Sequence, residues 1–300
     1  MSVQAIIKRL SLIIDLVSGI NKPTKKEILD FLQNEGLKVD DRTLARDFAK
    51  LRDEFGIYLD YSTPEYRYYI DKEKSINLGS TFQFFDIANT AELLTSSLKN
   101  SKETLSFIEF EHEGLQKGTK HLADLLRATK EKKIVTIQYK KFRNPDSTNY
   151  TILPYLLKQY QGRWYIVGQK ESTKEWRAFS LDRIESIEVL TNHFSRDESK
   201  NIKDFFSNYV GVSFIDQEPE AVQLWVSHEQ VGYFETLPLH ISQIELSRNE
   251  KGVVYGYHLV PTYEFIQKIL KEHFYVKVMK PEWLKEKVIK FLKKAVEFYK

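Results

Sequence analysis

The stretch VDDRTLARDFAKLRDEFGI, residues 39–57, carries the strongest structural signal in the first part of this chain. Apolar residues recur in it at the spacing of one helical face, namely Leu44, Phe48, Leu51 and Phe55. The other side carries cationic and hydroxyl side chains, namely Arg42, Thr43, Arg46 and Lys50. Either Asp40 or Asp41 can cap the helix at its start. The stretch therefore predicts an amphipathic helix that runs to about Phe55.

Two further helices and a hairpin are predicted around it. Apolar residues at helical spacing from Val3 to Val17 predict a first helix that ends at Gly19. Thr24 and Glu27 form a capping-box pattern that begins a second helix. Two β-type runs, 57–61 and 66–70, flank a polar turn and predict a hairpin. Three helices followed by a hairpin predict a winged helix-turn-helix.

The polar side of the third helix has chemistry suited to the major groove of DNA. Arginine pairs bidentately with guanine or phosphate, and threonine contacts a thymine methyl group or a phosphate. We therefore expect DNA contacts from Arg42, Thr43, Arg46 and Lys50, and from Arg67 on the hairpin. A basic face that is merely solvated is the alternative, because nearby aspartates dilute the positive charge. The order of the elements and their capping favour DNA binding.

Composition sets limits on the remaining possibilities. The chain has 300 residues, 42% of them hydrophobic, and a net charge of +3, so we expect two or three domains. So small a net charge does not by itself predict a polyanionic partner. Cysteine is absent, which excludes disulfides and cysteine-based zinc fingers. We expect neither a signal peptide nor a membrane span, and hence a cytoplasmic protein.

The middle of the chain changes from a helical to a strand pattern. Helices are predicted over 81–98 and 115–130, and about five short strands between 134 and 190 predict a bent sheet or barrel. Glu109, His112 and Glu113 are candidate metal ligands, but they form no clean site pattern, and we expect no metal and no cofactor. After the polar stretch 216–219, strands are predicted at 222–226, 243–248, 253–260 and 275–279, and helices at 263–271 and 281–298. This alternation predicts an α+β domain.

Motifs in several parts of the chain resemble those of WYL-domain transcriptional regulators. Arg42-Thr43-x-x-Arg46-Asp47 resembles the core of that family's winged helix, and the resemblance implies that Asp47 holds the helix in place. Trp164-Tyr165-Ile166 stands for the Trp-Tyr-Leu that names the domain, with Pro154-Tyr155 before it and Arg177-x-Phe179-x-Leu181-Asp182-Arg183 after it. Residues 237–243 and 278–281 resemble the extension that follows the domain. The chain departs from the family at Tyr150, where a basic residue is common.

The resemblance implies an α+β multidomain protein with four regions. These are a winged helix-turn-helix DNA-binding domain at 1–72, a helical linker at 73–130, a WYL domain at 131–195 and a C-terminal extension domain at 218–300. The WYL domain is an SH3/Sm-like β-barrel that resembles a sensor of nucleic-acid or nucleotide-like ligands. Residues of this region that can stack on bases or bind phosphates are Tyr139, Tyr155, Lys158, Tyr165, Arg177 and Arg183.

Some of these residues have an equally good structural interpretation. Arg177 and Arg183 suit a buried ion pair as well as a ligand contact. Trp164 and Phe179 are expected in the core rather than in a site.

These features predict a ligand-responsive DNA-binding transcriptional regulator. We expect a homodimer on a palindromic double-stranded DNA operator, with a single-stranded nucleic acid or a nucleotide as the ligand of the WYL domain and no membrane partner. The chain lacks a P-loop, GxGxxG, a nucleophile elbow and HExxH, so we expect no enzymatic activity. The alternative is a nucleic-acid-responsive interaction protein whose winged helix binds protein rather than DNA.

Overall fold

A computed structural model of the chain describes residues 3–19, 22–76, 78–96, 119–142, 146–196, 202–214 and 217–300. It divides into two compact units, Met1–Glu111 and His112–Lys300. Helices and antiparallel sheets make the fold α+β, as predicted. In the described ranges, no helix is long and apolar enough to cross a lipid bilayer. The candidate metal ligands Glu109, His112 and Glu113 lie outside the described residues.

The first unit consists of helices and one hairpin. Its elements are α1 (Val3–Ser18), α2 (Lys25–Asn34), α3 (Asp41–Phe55), β1 (Leu59–Ser62), β2 (Arg67–Ile70) and α4 (Leu78–Ser96). The capping box at Thr24 and Glu27 is confirmed, since each side chain accepts a hydrogen bond from the other residue's backbone N–H. At α3 the Asp40 carboxylate accepts from the Thr43 N–H at 2.7 Å. Sequence-coded caps thus begin both helices.

One hydrophobic core joins these elements. Its buried side chains are Leu10, Ile13, Ile14, Val17, Ile28, Leu32, Leu44, Leu51, Ile57 and Phe85, and Phe48 and Phe55 pack against them. The apolar face predicted for α3 is therefore confirmed. Phe85 belongs to α4, so the segment assigned to a linker begins with a helix that packs into this core.

Gly56 ends α3 in a conformation that favours glycine. Its φ is +68°, and its N–H bonds the Arg52 carbonyl at 3.1 Å. A Cβ at this position would lie 2.4 Å from Cγ1 of Ile76. The chain can therefore turn directly from the end of α3 into β1.

The second unit begins with a helix and a five-stranded sheet. Its elements are α5 (Leu122–Lys130), β3 (Lys133–Lys140), β4 (Ser147–Tyr160), β5 (Arg163–Lys170), β6 (Trp176–Ser180) and β7 (Ile184–His193). We call this the central sheet; its order is β6-β5-β4-β3-β7, and every neighbouring pair is antiparallel. Side chains alternate between its faces, so Ile166 and Phe179 join one core while Val167 joins another.

The rest of this unit is a second α+β layer. Its elements are α6 (Ile202–Ser207), β8 (Glu220–Ser227), α7 (His228–Thr236), β9 (Ile244–Asn249), β10 (Gly252–Leu259), α8 (Tyr263–Lys271), β11 (Val276–Lys280) and α9 (Glu282–Phe298). The strands form an antiparallel sheet of order β11-β8-β10-β9. The sequence predicted these strands and α8 and α9, but not α6 or α7.

One face of the central sheet is covered within the same unit. Val167 packs in a cluster with Phe206, Tyr209 and Val260, all of them buried. The Trp176 ring meets the Phe206 ring edge-on, with their centroids 5.2 Å apart. The part of this face around Val167 and Trp176 is therefore shielded from solvent by residues of the same unit.

Candidate nucleic-acid interface and ligand site

The outer face of α3 presents two exposed arginines one helical turn apart, Arg42 and Arg46. The small and exposed Ala45 lies beside them. Lys50 continues the row one turn further along, where its Nζ pairs with Glu54 at 2.8 Å and its side chain is partly exposed. The helix therefore offers a cationic row with little side-chain bulk between its members.

Thr43 does not share this face, which corrects the predicted orientation of its side chain. Only 9% of the residue is exposed, and its Oγ1 accepts a hydrogen bond from Nη2 of Arg46 at 3.2 Å. The physical reason is angular: position 43 lies one residue before the core residue Leu44 and one turn before Asp47, on the buried side. Thr43 orients Arg46 rather than facing outward itself.

A buried ion pair sets the rotation of α3 about its axis. The guanidinium of Arg9 on α1 donates to both carboxylate oxygens of Asp47, with Nη2 2.8 Å from Oδ1. The two side chains are 4% and 2% exposed. The hydrogen bond that Arg9 donates to Asp47 raises the pKa of Arg9. Because Asp47 points inward, Arg46 next to it points outward.

Asp47 therefore has the positioning role that the resemblance implied, whereas its partner was not predicted. The sequence signal for Arg9 was a cation, next to Lys8, that directly precedes Leu10 of the apolar stripe of α1.

Arg67 is engaged within the first unit. Its Nη1 donates to the carbonyl of Lys22 and lies 3.4 Å from Oε2 of Glu27. The backbone N–H of Tyr68 also donates to the Pro23 carbonyl at 2.8 Å, so a second hydrogen bond joins the same two segments. Arg67 thus ties the hairpin to the start of α2, and its side chain is 40% exposed.

At one end of the central sheet, an arginine lies between two aromatic rings. The Cζ atom of Arg183 is 5.0 Å from the ring centroid of Tyr139 and 4.6 Å from that of Phe142. Tyr150 completes this group, with its ring 6.3 Å from that of Tyr139. We call Tyr139, Phe142, Tyr150 and Arg183 the Tyr139 cluster.

The Tyr139 cluster is closed on one side and open on the other. Tyr139 is buried, which raises its pKa, whereas Phe142 is 78% exposed. The Nε of Arg183 is buried with no hydrogen-bond partner among the residues that the structure describes. Within that part of the chain the arginine makes cation–π contacts with Tyr139 and Phe142 and no ion pair, where a buried ion pair was one of the two expectations.

Two lysine side chains place positive charge beside the ring of Tyr150. The Nζ atoms of Lys141 and Lys170 lie 5.7 Å and 5.9 Å from its ring centroid. Tyr150 replaces a residue that is commonly basic in the family resembled, and the two lysines surround it with cations. The cluster thus combines an exposed ring with cationic groups, the combination that binds single-stranded nucleic acid.

The other predicted ligand residues lie elsewhere, so the six do not form one site. Lys158 and Tyr165 are opposite each other on β4 and β5, on the face of the central sheet that carries Val167. Burial lowers the pKa of Lys158, and the charge of Glu264 opposes that effect. On the same face Tyr155 packs on Trp176, with ring centroids 4.7 Å apart.

Arg177 is exposed and pairs with Glu175 at 3.3 Å, so it forms a surface ion pair and not a buried one. Trp164 and Phe179 pack in the core of the sheet, as expected.

The site residues that were missed had a readable signal. Lys141 and Phe142 belong to the run Lys140-Lys141-Phe142-Arg143, in which an aromatic residue is flanked by cations at the end of β3. Only the fold brings this run to Arg183, which follows β6.

Comparison with known families identifies the region that contains this cluster. Residues 120–189 match the family model of the WYL domain. The chain contains a WYL domain. The WYL domain takes in α5, the strands β3 to β6 and most of β7, and therefore the whole Tyr139 cluster.

Beyond the WYL domain the likenesses are distant. No curated protein matches the chain. Among solved structures, proteasome accessory factor B/C (PafBC) of Arthrobacter aurescens is 16% identical with a TM-score of 0.32, covering 98% of this chain and 47% of that one. This chain thus spans about half the length of that PafBC chain. A CRISPR Cas-related protein is 13% identical with a TM-score of 0.40, covering 100% and 87% of the two chains.

Proposed function

We propose that this protein is a DNA-binding transcriptional regulator whose WYL domain senses a nucleic-acid or nucleotide-like ligand. The first unit acts as a winged helix-turn-helix, with α3 in the major groove and the β1–β2 hairpin as the wing. Two copies of the chain bind a palindromic operator. The protein has no catalytic activity in this proposal.

The observation that carries the proposal is the outward cationic row of α3. Arg42 and Arg46 are exposed, and the buried pair Arg9–Asp47 holds the opposite side of the same helix. A recognition helix needs this combination, because base readout requires side chains of defined direction as well as positive charge.

The sensing half of the proposal is supported by the Tyr139 cluster. The exposed ring of Phe142 offers a stacking surface for a base, and Arg183, Lys141 and Lys170 supply cations for phosphates. The cluster lies in the WYL domain. It includes Tyr139 and Arg183, two of the residues whose side-chain chemistry predicted a ligand site.

The DNA-binding half is tested by selection from a pool of random duplex DNA. The full chain should enrich a palindromic sequence. Arg42→Ala with Arg46→Ala should then bind that sequence at least about tenfold more weakly, since each bidentate base contact contributes about 1–3 kcal/mol. Lys290→Ala with Lys293→Ala is the matched control, because it removes the same charge from two exposed positions on α9.

The outcomes separate the proposal from its rival. Equal affinity of the Arg42/Arg46 variant and the wild type would exclude α3 as the DNA reader. Enrichment of no duplex would favour the alternative in which this unit binds a protein. Equal losses in the variant and in the lysine control would mean that only net charge matters.

A further inference from the structure

The strand β9 forms an exposed edge of the C-terminal sheet. It pairs with β10 on one side, and no other strand of the described part of the chain pairs with it. All six of its residues, Ile244–Asn249, are exposed. An edge strand of this kind carries N–H and C=O groups that can pair with another strand.

Apolar side chains accompany this open edge. On β9 itself Ile244 is 60% exposed and Leu246 is 46% exposed. Leu237 and Ile241, in the segment that leads from α7 to β9, are also largely exposed. Exposed aliphatic residues next to an unpaired strand edge are typical of a surface that another chain covers.

The charges on β9 are complementary to those of a second, antiparallel copy of the same strand. In an antiparallel pair centred between Leu246 and Ser247, residue 245 of each strand faces residue 248 of the other. These residues are Glu245 and Arg248, so both cross-strand pairs join opposite charges. Opposite charges at facing positions stabilise a strand pair, and like charges destabilise it.

The local geometry places these two charges on one side of the strand. The register with β10 shifts between Val254 and Tyr255, so Leu246 has no residue opposite it. This bulge brings Glu245 and Arg248 together, with Arg248 Nη2 2.6 Å from Glu245 Oε2. Glu235 of α7 contacts the same Nη2 atom at 2.6 Å and holds the guanidinium at the edge.

We propose that β9 is a homodimer interface, at which it pairs antiparallel with β9 of a second copy of this chain. The pairing joins the two four-stranded sheets into one continuous sheet across a twofold axis. Glu245 then contacts the partner's Arg248, and Ile244 and Leu246 lose their exposure to solvent. A second copy of this chain fits the edge because β9 carries both an acidic residue, Glu245, and a basic one, Arg248. Each charge pair then joins Glu245 of one copy to Arg248 of the other.

This inference names the contact surface of the homodimer in the proposed function, and it is tested without DNA. Sedimentation equilibrium should show a wild-type dimer. Glu245→Arg leaves two cations on each strand and Arg248→Glu leaves two anions, so each variant alone should dimerise at least about tenfold more weakly. An equimolar mixture of the two variants should form a heterodimer with near wild-type affinity, since each cationic position then faces an anionic one.

The mixture distinguishes pairing between two chains from an effect within one chain. Contacts within each variant chain are the same in the mixture as in that variant by itself, so only contacts between chains can restore dimerisation. Glu286→Arg, on the exposed side of α9, is the control for an equal change of charge and should leave the dimer intact. Circular dichroism melting of each variant checks that the chain is folded. A monomeric wild type, dimers unaffected by both substitutions, or a mixture no tighter than its components would each overturn the proposal. Duplex binding by a monomer would leave α3 as the reader while removing this interface.

Discussion

Arg9 on α1 and Asp47 on α3 form a buried ion pair that crosses the core of the first unit. Both side chains are almost fully removed from solvent, and their mutual attraction offsets part of the cost of burying the two charges. The pair lies on the side of α3 opposite Arg42 and Arg46. The direction of the proposed DNA-contacting side chains is therefore set by a contact that never touches DNA.

Asp47→Asn should destabilise the first unit by about 3 kcal/mol or more, because it removes the carboxylate that compensates the buried Arg9 guanidinium. Native-state hydrogen exchange of the α1 and α3 amides measures the stability of the first unit alone. A thermal melt of the whole chain would report the unfolding of both units together. Arg9→Met with Asp47→Leu removes both charges and should recover most of the loss. Unchanged exchange in Asp47→Asn would show that the pair contributes nothing to the core.

Phe142→Ala should weaken binding of a twelve-residue oligothymidylate by about 1–3 kcal/mol, roughly 5- to 150-fold, because one stacked base loses its platform. Stability should change little, since Phe142 is 78% exposed. Phe274→Ala is the matched control, because Phe274 is 81% exposed and lies outside the WYL domain. Fluorescence anisotropy of the labelled oligonucleotide gives the affinities.

If neither the oligonucleotide nor nucleoside triphosphates bind the wild type, the sensing role fails. If they bind equally to Phe142→Ala and the wild type, the Tyr139 cluster is not their site.

His240 should make the C-terminal part of the second unit sensitive to acid. Burial lowers its pKa from the ordinary 6.5, and the backbone carbonyl of Ser207 opposes this shift. Nδ1 accepts from the Ser242 N–H at 3.2 Å, which leaves Nε2–H to donate to that carbonyl. The neutral imidazole therefore fits its surroundings. A protonated Nδ1 could no longer accept from the Ser242 N–H and would have to donate instead to the Ser242 hydroxyl, whose Oγ is 2.7 Å away.

The pH dependence follows from this direction. Because the pKa in the folded state lies below the unfolded value, the contribution of His240 to stability is complete above pH 6.5 and is lost as the pH falls. The NMR titration of the His240 ring protons should give a midpoint below 6.5. Exchange of amides near Ser207 and Ser242 should accelerate as the pH falls from 7 to 5, after correction for intrinsic rates. A midpoint at or above 6.5 would contradict this account.

Local elements were the most predictable part of the structure. The capping box at Thr24, the cap at Asp40 and the apolar face from Leu44 to Phe55 follow from residues within one or two helical turns of each other. Local patterns also predicted β10 and α8 closely. The helices α6 and α7 were missed because they are short and their apolar residues show little periodicity.

The candidate sites were predicted less completely, because their members come from distant parts of the chain. Thr43 had the right chemistry for DNA, but its angular position relative to Asp47 buries it. Lys158 and Tyr165 were grouped with Tyr139 by residue type, yet strand alternation places them on the opposite face of the sheet. Phe142 was missed because its link to Arg183 exists only after β3 and β6 have been placed in the same sheet.

The order of the elements, their caps, the amphipathic face of α3 and the motif of the WYL domain could all be predicted from the sequence. These depend on residues within a few positions of each other, for which spacing translates directly into geometry. Three features became visible only in the folded chain: Arg9 compensates Asp47, Arg183 lies between Tyr139 and Phe142, and β9 is an open edge in the described part of the chain. Such contacts depend on strand register and on the rotation of packed helices, which only the burial of the shared core determines.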